Sequence, residues 1–222
     1  MLMINLKLKL VVLQWNESIN STKYLGMFLD SKLKFKDHID YLIKKVNSFK
    51  GICYKAIHFL PFECRRNLYF AYIYPLILYG LYVYGMCTKT LFQDLCVAVN
   101  KLLRVLQGLP RDSPTAELYT NFNTLPLNLL LHYVIIKLVY QSKHDFNISN
   151  TISRLFISNN NIHNYSTCSC NKLHVQSSMI TKYNSCVNIG TLLWNSLPNN
   201  LTSILSFNVF YNHLCKYLQE SN

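Results

Sequence analysis

Lys23 to Pro61, KYLGMFLDSKLKFKDHIDYLIKKVNSFKGICYKAIHFLP, decides the fold, because the apolar period changes within it. Up to Leu29 the run KYLGMFL is almost continuously apolar, the mark of a short strand bounded by polar residues. From Asp37 onward, Ile39, Leu42, Ile43, Val46, Phe49, Ile52, Cys53, Ala56 and Ile57 recur at steps of three and one, which is one face of a helix. Away from that face the same helix carries Lys44, Lys45, Lys50 and Lys55. Asp37 and Asp40 stand in its first turn, where carboxylates complement the helix dipole. A strand therefore leads into a helix with one oily side and one basic side.

Upstream, residues 4–13 alternate around Leu6, Leu8 and Leu10 and read as another strand, joined to 23–29 by the polar stretch Asn16 to Thr22, so that the two pair as a hairpin. Lys7 and Lys9 interrupt the apolar start and no small-residue cleavage site follows, so it reads as a strand rather than a signal peptide. Downstream, Pro61 ends the basic helix and a second starts near Glu63, with Arg65 and Arg66 on its first turn and a kink or break at Pro75. A third runs from Lys89 to Gln107 with Leu91, Leu95, Ala98, Leu102 and Leu106 inward, stopped by Gly108 and Pro110. A further helix spans Leu127 to Lys143. Residues 146–166 turn Asn- and Ser-rich, as a linker does. A last helix spans Ser206 to Gln219, with Val209, Phe210, His213, Leu214 and Leu218 near one stripe.

At about 150 residues per domain, 222 residues allow one domain or one and a half. Half of the residues are apolar and only 14% charged, so the chain can bury a core. The net charge is +12, and it is uneven: residues 1–111 hold 16 basic and 6 acidic groups, residues 112–222 only 6 and 4. Such an excess favours a polyanionic partner, held mainly by the first half. The 8 cysteines are scattered through helical patterns, which predicts free thiols and an intracellular location, cytoplasm or nucleus. Asn67 to Thr88 carries no charge and is long enough to cross a bilayer. Yet Pro75 and Gly80 interrupt it and its tyrosines (69, 72, 74, 79, 82, 84) run through its length instead of gathering at two interfaces, so a buried helix pair is expected and a membrane is not.

Catalytic signatures are sparse. The glycines form no phosphate-cradling loop, there is no GxSxG elbow, and the 10 acidic residues are mostly isolated, short of the converging carboxylates that two-metal chemistry needs. His163, Cys168, Cys170, His174 and Cys186 cluster soft ligands, but C-x-C-x3-H misses the C-x2-4-C spacing of zinc knuckles, and no metal site is expected.

The block from Lys23 to Pro61, then LYFAYIYPLILYGLYVYG (68–85), LLRVLQGLPRDSPTAELY (102–119) and LWNSLP (193–198), resembles in order and spacing the C-terminal part of non-LTR (LINE-type) retrotransposon reverse transcriptases, over residues 4–218. The resemblance implies a mainly α fold: a short N-terminal β-hairpin in residues 1–30, a helical thumb-like bundle in 31–145, and a small irregular appendage with a C-terminal helix in 146–222. It puts Lys23, Tyr24, Leu25 and Gly26 at the primer grip, and makes the helix from Asp37 to Leu60 the thumb helix against template and primer. Gly26, lacking a Cβ, would let the backbone approach the primer or serve a bulge.

The family's metal-binding aspartates, including Tyr-x-Asp-Asp, lie N-terminal to the grip. Fingers and palm are therefore expected to be partners encoded elsewhere, the chain alone is expected to lack catalytic residues and cofactors, and magnesium is implied only for the missing palm. Family members often read HNYNTR where this chain has HNYSTCSC, with Cys168 at the arginine position. The expected function is a catalytically incomplete piece of an RNA-directed DNA polymerase. It would bind an RNA/DNA template-primer and no small-molecule substrate, with phosphate contacts from Lys23, Lys34, Lys36, Lys44, Lys45, Lys50, Lys55, Arg65 and Arg66. The alternatives are a small membrane protein anchored through 67–88 and a nonfunctional remnant of a truncated element.

Overall fold

The computed structural model describes residues 21–144, 150–162, 172–175 and 186–220. The expected strand over 4–13, the Ala56 side chain, and His163, Cys168 and Cys170 lie outside the described residues. The described chain divides into two units, one ending at Leu127 and one beginning at Asn128. The helix from Leu127 to Lys143 packs with the C-terminal elements, Tyr140 against Phe210.

The first unit opens with β1 (Ser21–Tyr24) and β2 (Met27–Asp30), antiparallel, with Lys23 opposite Phe28 and Tyr24 opposite Met27. This corrects the reading of 23–29 as one strand, since the chain reverses inside YLGM. Leu25 and Gly26 both have positive φ, 45° and 82°, the pattern of a two-residue turn whose twist matches that of the flanking strands. Glycine reaches that region freely, which gives Gly26 a turn's reason rather than a bulge's. An apolar run through the turn hid it from periodicity.

The loop after β2 is organised by Asp30, whose Oδ1 accepts the backbone N–H groups of Lys32 at 3.0 Å and Lys34 at 2.8 Å. Helix α1 (Lys36–Ala56) follows and buries Ile39, Leu42, Val46 and Cys53 against β2 and α5. Ile52, expected inside, is 63% exposed: it sits about 100° round the helix from Cys53, outside the stripe that these neighbours cover.

Pro75 does not break the second helix. α2 (Phe62–Leu68) runs through a π-helical turn (Tyr69–Ile73) into α3 (Tyr74–Leu78), with the Tyr74 N–H donating to the Tyr69 carbonyl. Widening one turn spares the carbonyl four residues back from the proline ring. The helix stops at Gly80, φ 71°, before α4 (Leu81–Tyr84). Tyr69, Ile73, Ile77, Leu81, Val83 and Tyr84 are buried, and no single helix among the described residues is long and apolar enough to cross a membrane.

Helix α5 (Lys89–Gln107) has the expected bounds. Phe92 takes the buried place assigned to Leu91, which is only half-buried, and Gly108 closes the helix in the left-handed region, with Leu109 N–H on the Arg104 carbonyl at 2.9 Å. α6 (Thr115–Phe122) is tied to α5 by Tyr119, which donates to Asn100, and by Gln107, which donates to the Leu118 carbonyl at 2.7 Å.

The second unit contains α7 (Leu127–Lys143, from Asn128 on), α8 (Asn150–Ser153), a 3-10 turn (Asn159–Asn161), α9 (Cys186–Ser196), α10 (Asn199–Thr202) and α11 (Phe207–Glu220). Tyr140 stacks on Phe210 at 4.0 Å and donates to the Leu205 carbonyl at 2.8 Å. The WNSLP block builds this unit. Trp194 and Leu197 are buried, Asn195 accepts from the Leu173 N–H and donates to its carbonyl, both at 2.9 Å, and Pro198 opens α10. On α11 the buried line is Phe210, Tyr211, Leu214 and Leu218; Val209 and His213, expected on it, are exposed because the true stripe lies one residue further on.

Candidate nucleic-acid interface

The hairpin and α1 are joined by an aromatic ladder. Lys23 lies over Phe28 at 5.7 Å, Phe28 meets Tyr41 at 5.3 Å, and Lys45 lies over Tyr41 at 5.7 Å. Two of the expected cations are thus brought to one surface, their ammonium groups set on π faces. Tyr79 donates its hydroxyl hydrogen to the Leu25 carbonyl and fixes the turn, while Tyr24 is half-buried and Gly26 exposed at its tip. Lys34 is exposed on the loop that Asp30 shapes, and Lys36 is exposed as the first residue of α1.

The remaining lysines of α1 do not form one row. At about 100° per residue, Lys44 and Lys55 share the outward face, Lys45 lies on the flank towards β2, and Lys50 on the flank towards α5. Lys50 also donates to Asn47 at 3.2 Å. Arg65 and Arg66 on α2 are half-buried and partly committed internally. Arg66 donates to the Phe122 carbonyl at 3.1 Å and lies 5.0 Å from the Phe70 ring; Arg65 lies 5.6 Å from Phe62, with its Nε buried and unpartnered.

Between the C-terminal ends of α1 and α5 is a cavity of about 670 Å³, lined among others by Lys50, Tyr54, Lys101, Arg104 and Arg111. A shallower groove between the same helices shares Lys50 and Lys101 and holds Asp94. Lys101, Arg104 and Arg111 are absent from the contacts expected from sequence. The available signal was the spacing of three between Lys101 and Arg104, which keeps both beside one edge of the Leu102 and Leu106 stripe; Arg111 lies beyond the helix stop, where no periodicity reaches it.

The site carries no visible catalytic constellation. Among the described residues no three His, Cys, Asp or Glu side chains come close enough to hold a metal ion. Burial pushes the thiols of Cys87 and Cys96 up to about 11 and that of Cys186 to about 12, which keeps them protonated and poorly nucleophilic at neutral pH. His38, buried in the first turns of α1 with its ring 5.0 Å from Tyr84, is lowered to about 4 by the same loss of solvent, and neither ring nitrogen has a hydrogen-bond partner. What this surface offers is fixed positive charge with aromatic rings between.

No protein-family profile matches the chain, and no solved structure matches it. The chain is similar to the RNA-directed DNA polymerase from mobile element jockey of Drosophila melanogaster, with 33% identity over 92 residues. The match covers 40% of this chain and 10% of that polymerase. The chain is therefore distantly related to a retrotransposon RNA-directed DNA polymerase.

Proposed function

We propose that the chain is the primer-grip and thumb portion of a non-LTR retrotransposon reverse transcriptase and that it holds an RNA/DNA template-primer. The observation that carries this reading is the ladder from Lys23 through Phe28 and Tyr41 to Lys45, which locks the hairpin to a basic helix. A hairpin fixed to a helix can present cations at set spacing to a polymeric backbone. Lys34, Lys36, Lys44 and Lys55 extend that surface, and phosphate contacts of this kind position a duplex without reading its sequence. Fingers and palm of the parent polymerase are the protein partners of this reading.

Titration of the full chain with a labelled RNA/DNA template-primer over a range of salt tests it. If about four phosphates are engaged, log K falls with log salt at a slope of roughly −3.6. Salt-independent affinity, or no affinity at low salt, overturns the reading.

A further inference from the structure

The cavity at the ends of α1 and α5 differs in kind from the open surface of the ladder. We propose that it seats one unpaired nucleotide of a single-stranded nucleic acid, with the phosphates on Lys50, Lys101, Arg104 and Arg111 and the base against Tyr54. This deepens the template-primer reading and rests on it.

Charge is the first argument. The cavity lining includes four permanent cations and no carboxylate, with Asp94 confined to the adjoining groove. The C-terminal ends of α1 and α5 point the other way electrostatically, but each contributes only about half a negative charge. Their last carbonyls are also partly occupied by the N–H groups of Ile57, Gly108 and Leu109. The cations therefore prevail, and an anion that joins them relieves their mutual repulsion.

Hydrogen bonding is the second. Arg104 spends one nitrogen on the Ser113 carbonyl at 3.0 Å, which steadies the loop that brings Arg111 to the cavity, while its Nε is buried without a partner. A guanidinium held on one side by a backbone carbonyl is fixed at the cavity wall, where its remaining accessible N–H groups can meet a phosphate oxygen.

Shape and stacking are the third. A volume of about 670 Å³ lies within the range of about 300–1,000 Å³ typical of small-ligand pockets. It does not admit a duplex, whose major groove alone is about 12 Å wide. Tyr54 stands on the wall 68% exposed, a large ring without a partner side chain over most of its surface. Bases stack on such rings whatever their identity, so the seat is sequence-tolerant.

The test is anisotropy of the full chain with a labelled single-stranded RNA and, separately, a blunt RNA/DNA duplex. Tyr54→Ala and Arg111→Ala, both at exposed positions, are compared with Lys44→Ala/Lys55→Ala, and circular dichroism melting checks each fold. The two cavity variants should each weaken single-strand binding by roughly five- to tenfold and change duplex binding by less than about twofold, and the helix-face pair should do the reverse. Unlabelled mononucleotide should displace the single strand better than inorganic phosphate does. Equal losses on both probes, no loss on either, or equal displacement by phosphate alone overturns the seat. A chain that binds duplex and no single strand ends this inference and leaves the template-primer reading intact; a chain that binds neither ends both.

Discussion

At the scale of single residues, Asp30 shows how a motif position can be structural. Its carboxylate holds two backbone N–H groups of the loop that delivers the chain into α1, so this aspartate of the Lys23–Pro61 block has a folding role before any functional one. Replacing it with alanine should cost about 1–3 kcal/mol, the usual penalty for orphaning polar groups, read as a lower urea midpoint with unchanged slope. Asp30→Asn keeps one acceptor oxygen and should cost less. Gly26 was legible as a special backbone position, but its reason is the reversal between β1 and β2, which its φ of 82° records.

At the scale of elements, the break between α3 and α4 is a docking point. Gly80 sits there at φ 71°, and a Cβ built on it would stand 2.4 Å from the sulfur of Met27 on β2. Gly80→Ala should therefore destabilise by about 1–3 kcal/mol through backbone strain and overpacking. Shortening the neighbour, in Gly80→Ala/Met27→Ala, should not restore the parent, because the strain remains and Met27 is buried. In the second unit, Asn195→Ala removes both hydrogen bonds to Leu173, and thermal unfolding should fall by several degrees, whereas Ser196→Ala on the exposed side of α9 should shift it little. The long helices were readable in advance: α5 and α7 have the expected bounds, and α5 ends where Gly108 and Pro110 stop it. The turn in YLGM and the π turn before Pro75 were not, since both are local answers to geometry that an apolar pattern does not encode.

For the whole molecule, pH dependence adds over the buried His38 and the half-buried His132 and His144. Burial lowers His38 to about 4, and also lowers His132 and His144, the last helped by the charge of Lys143. A folded-state value below the unfolded value of about 6.5 means that the unfolded chain binds more protons in that window, so stability is full above it and is lost as pH falls towards 4. Urea midpoints should therefore drop between pH 7 and pH 5, and His38→Phe should flatten that drop. Charge is distributed at this scale too: residues 21–111, with 14 basic and 5 acidic groups, lie on the unit that holds the ladder and the cavity.

The sequence by itself determined the mainly helical fold, the amphipathic basic helix and the excess of positive charge, because period, stop residues and net charge are readable along the chain. Only the tertiary structure decided which cations share a surface. Lys50 on α1 meets Lys101, Arg104 and Arg111 from the end of α5 and its following loop, while Lys44 and Lys55 look elsewhere. Residues some fifty positions apart converge through packing; no pattern read within one helix could have assembled them.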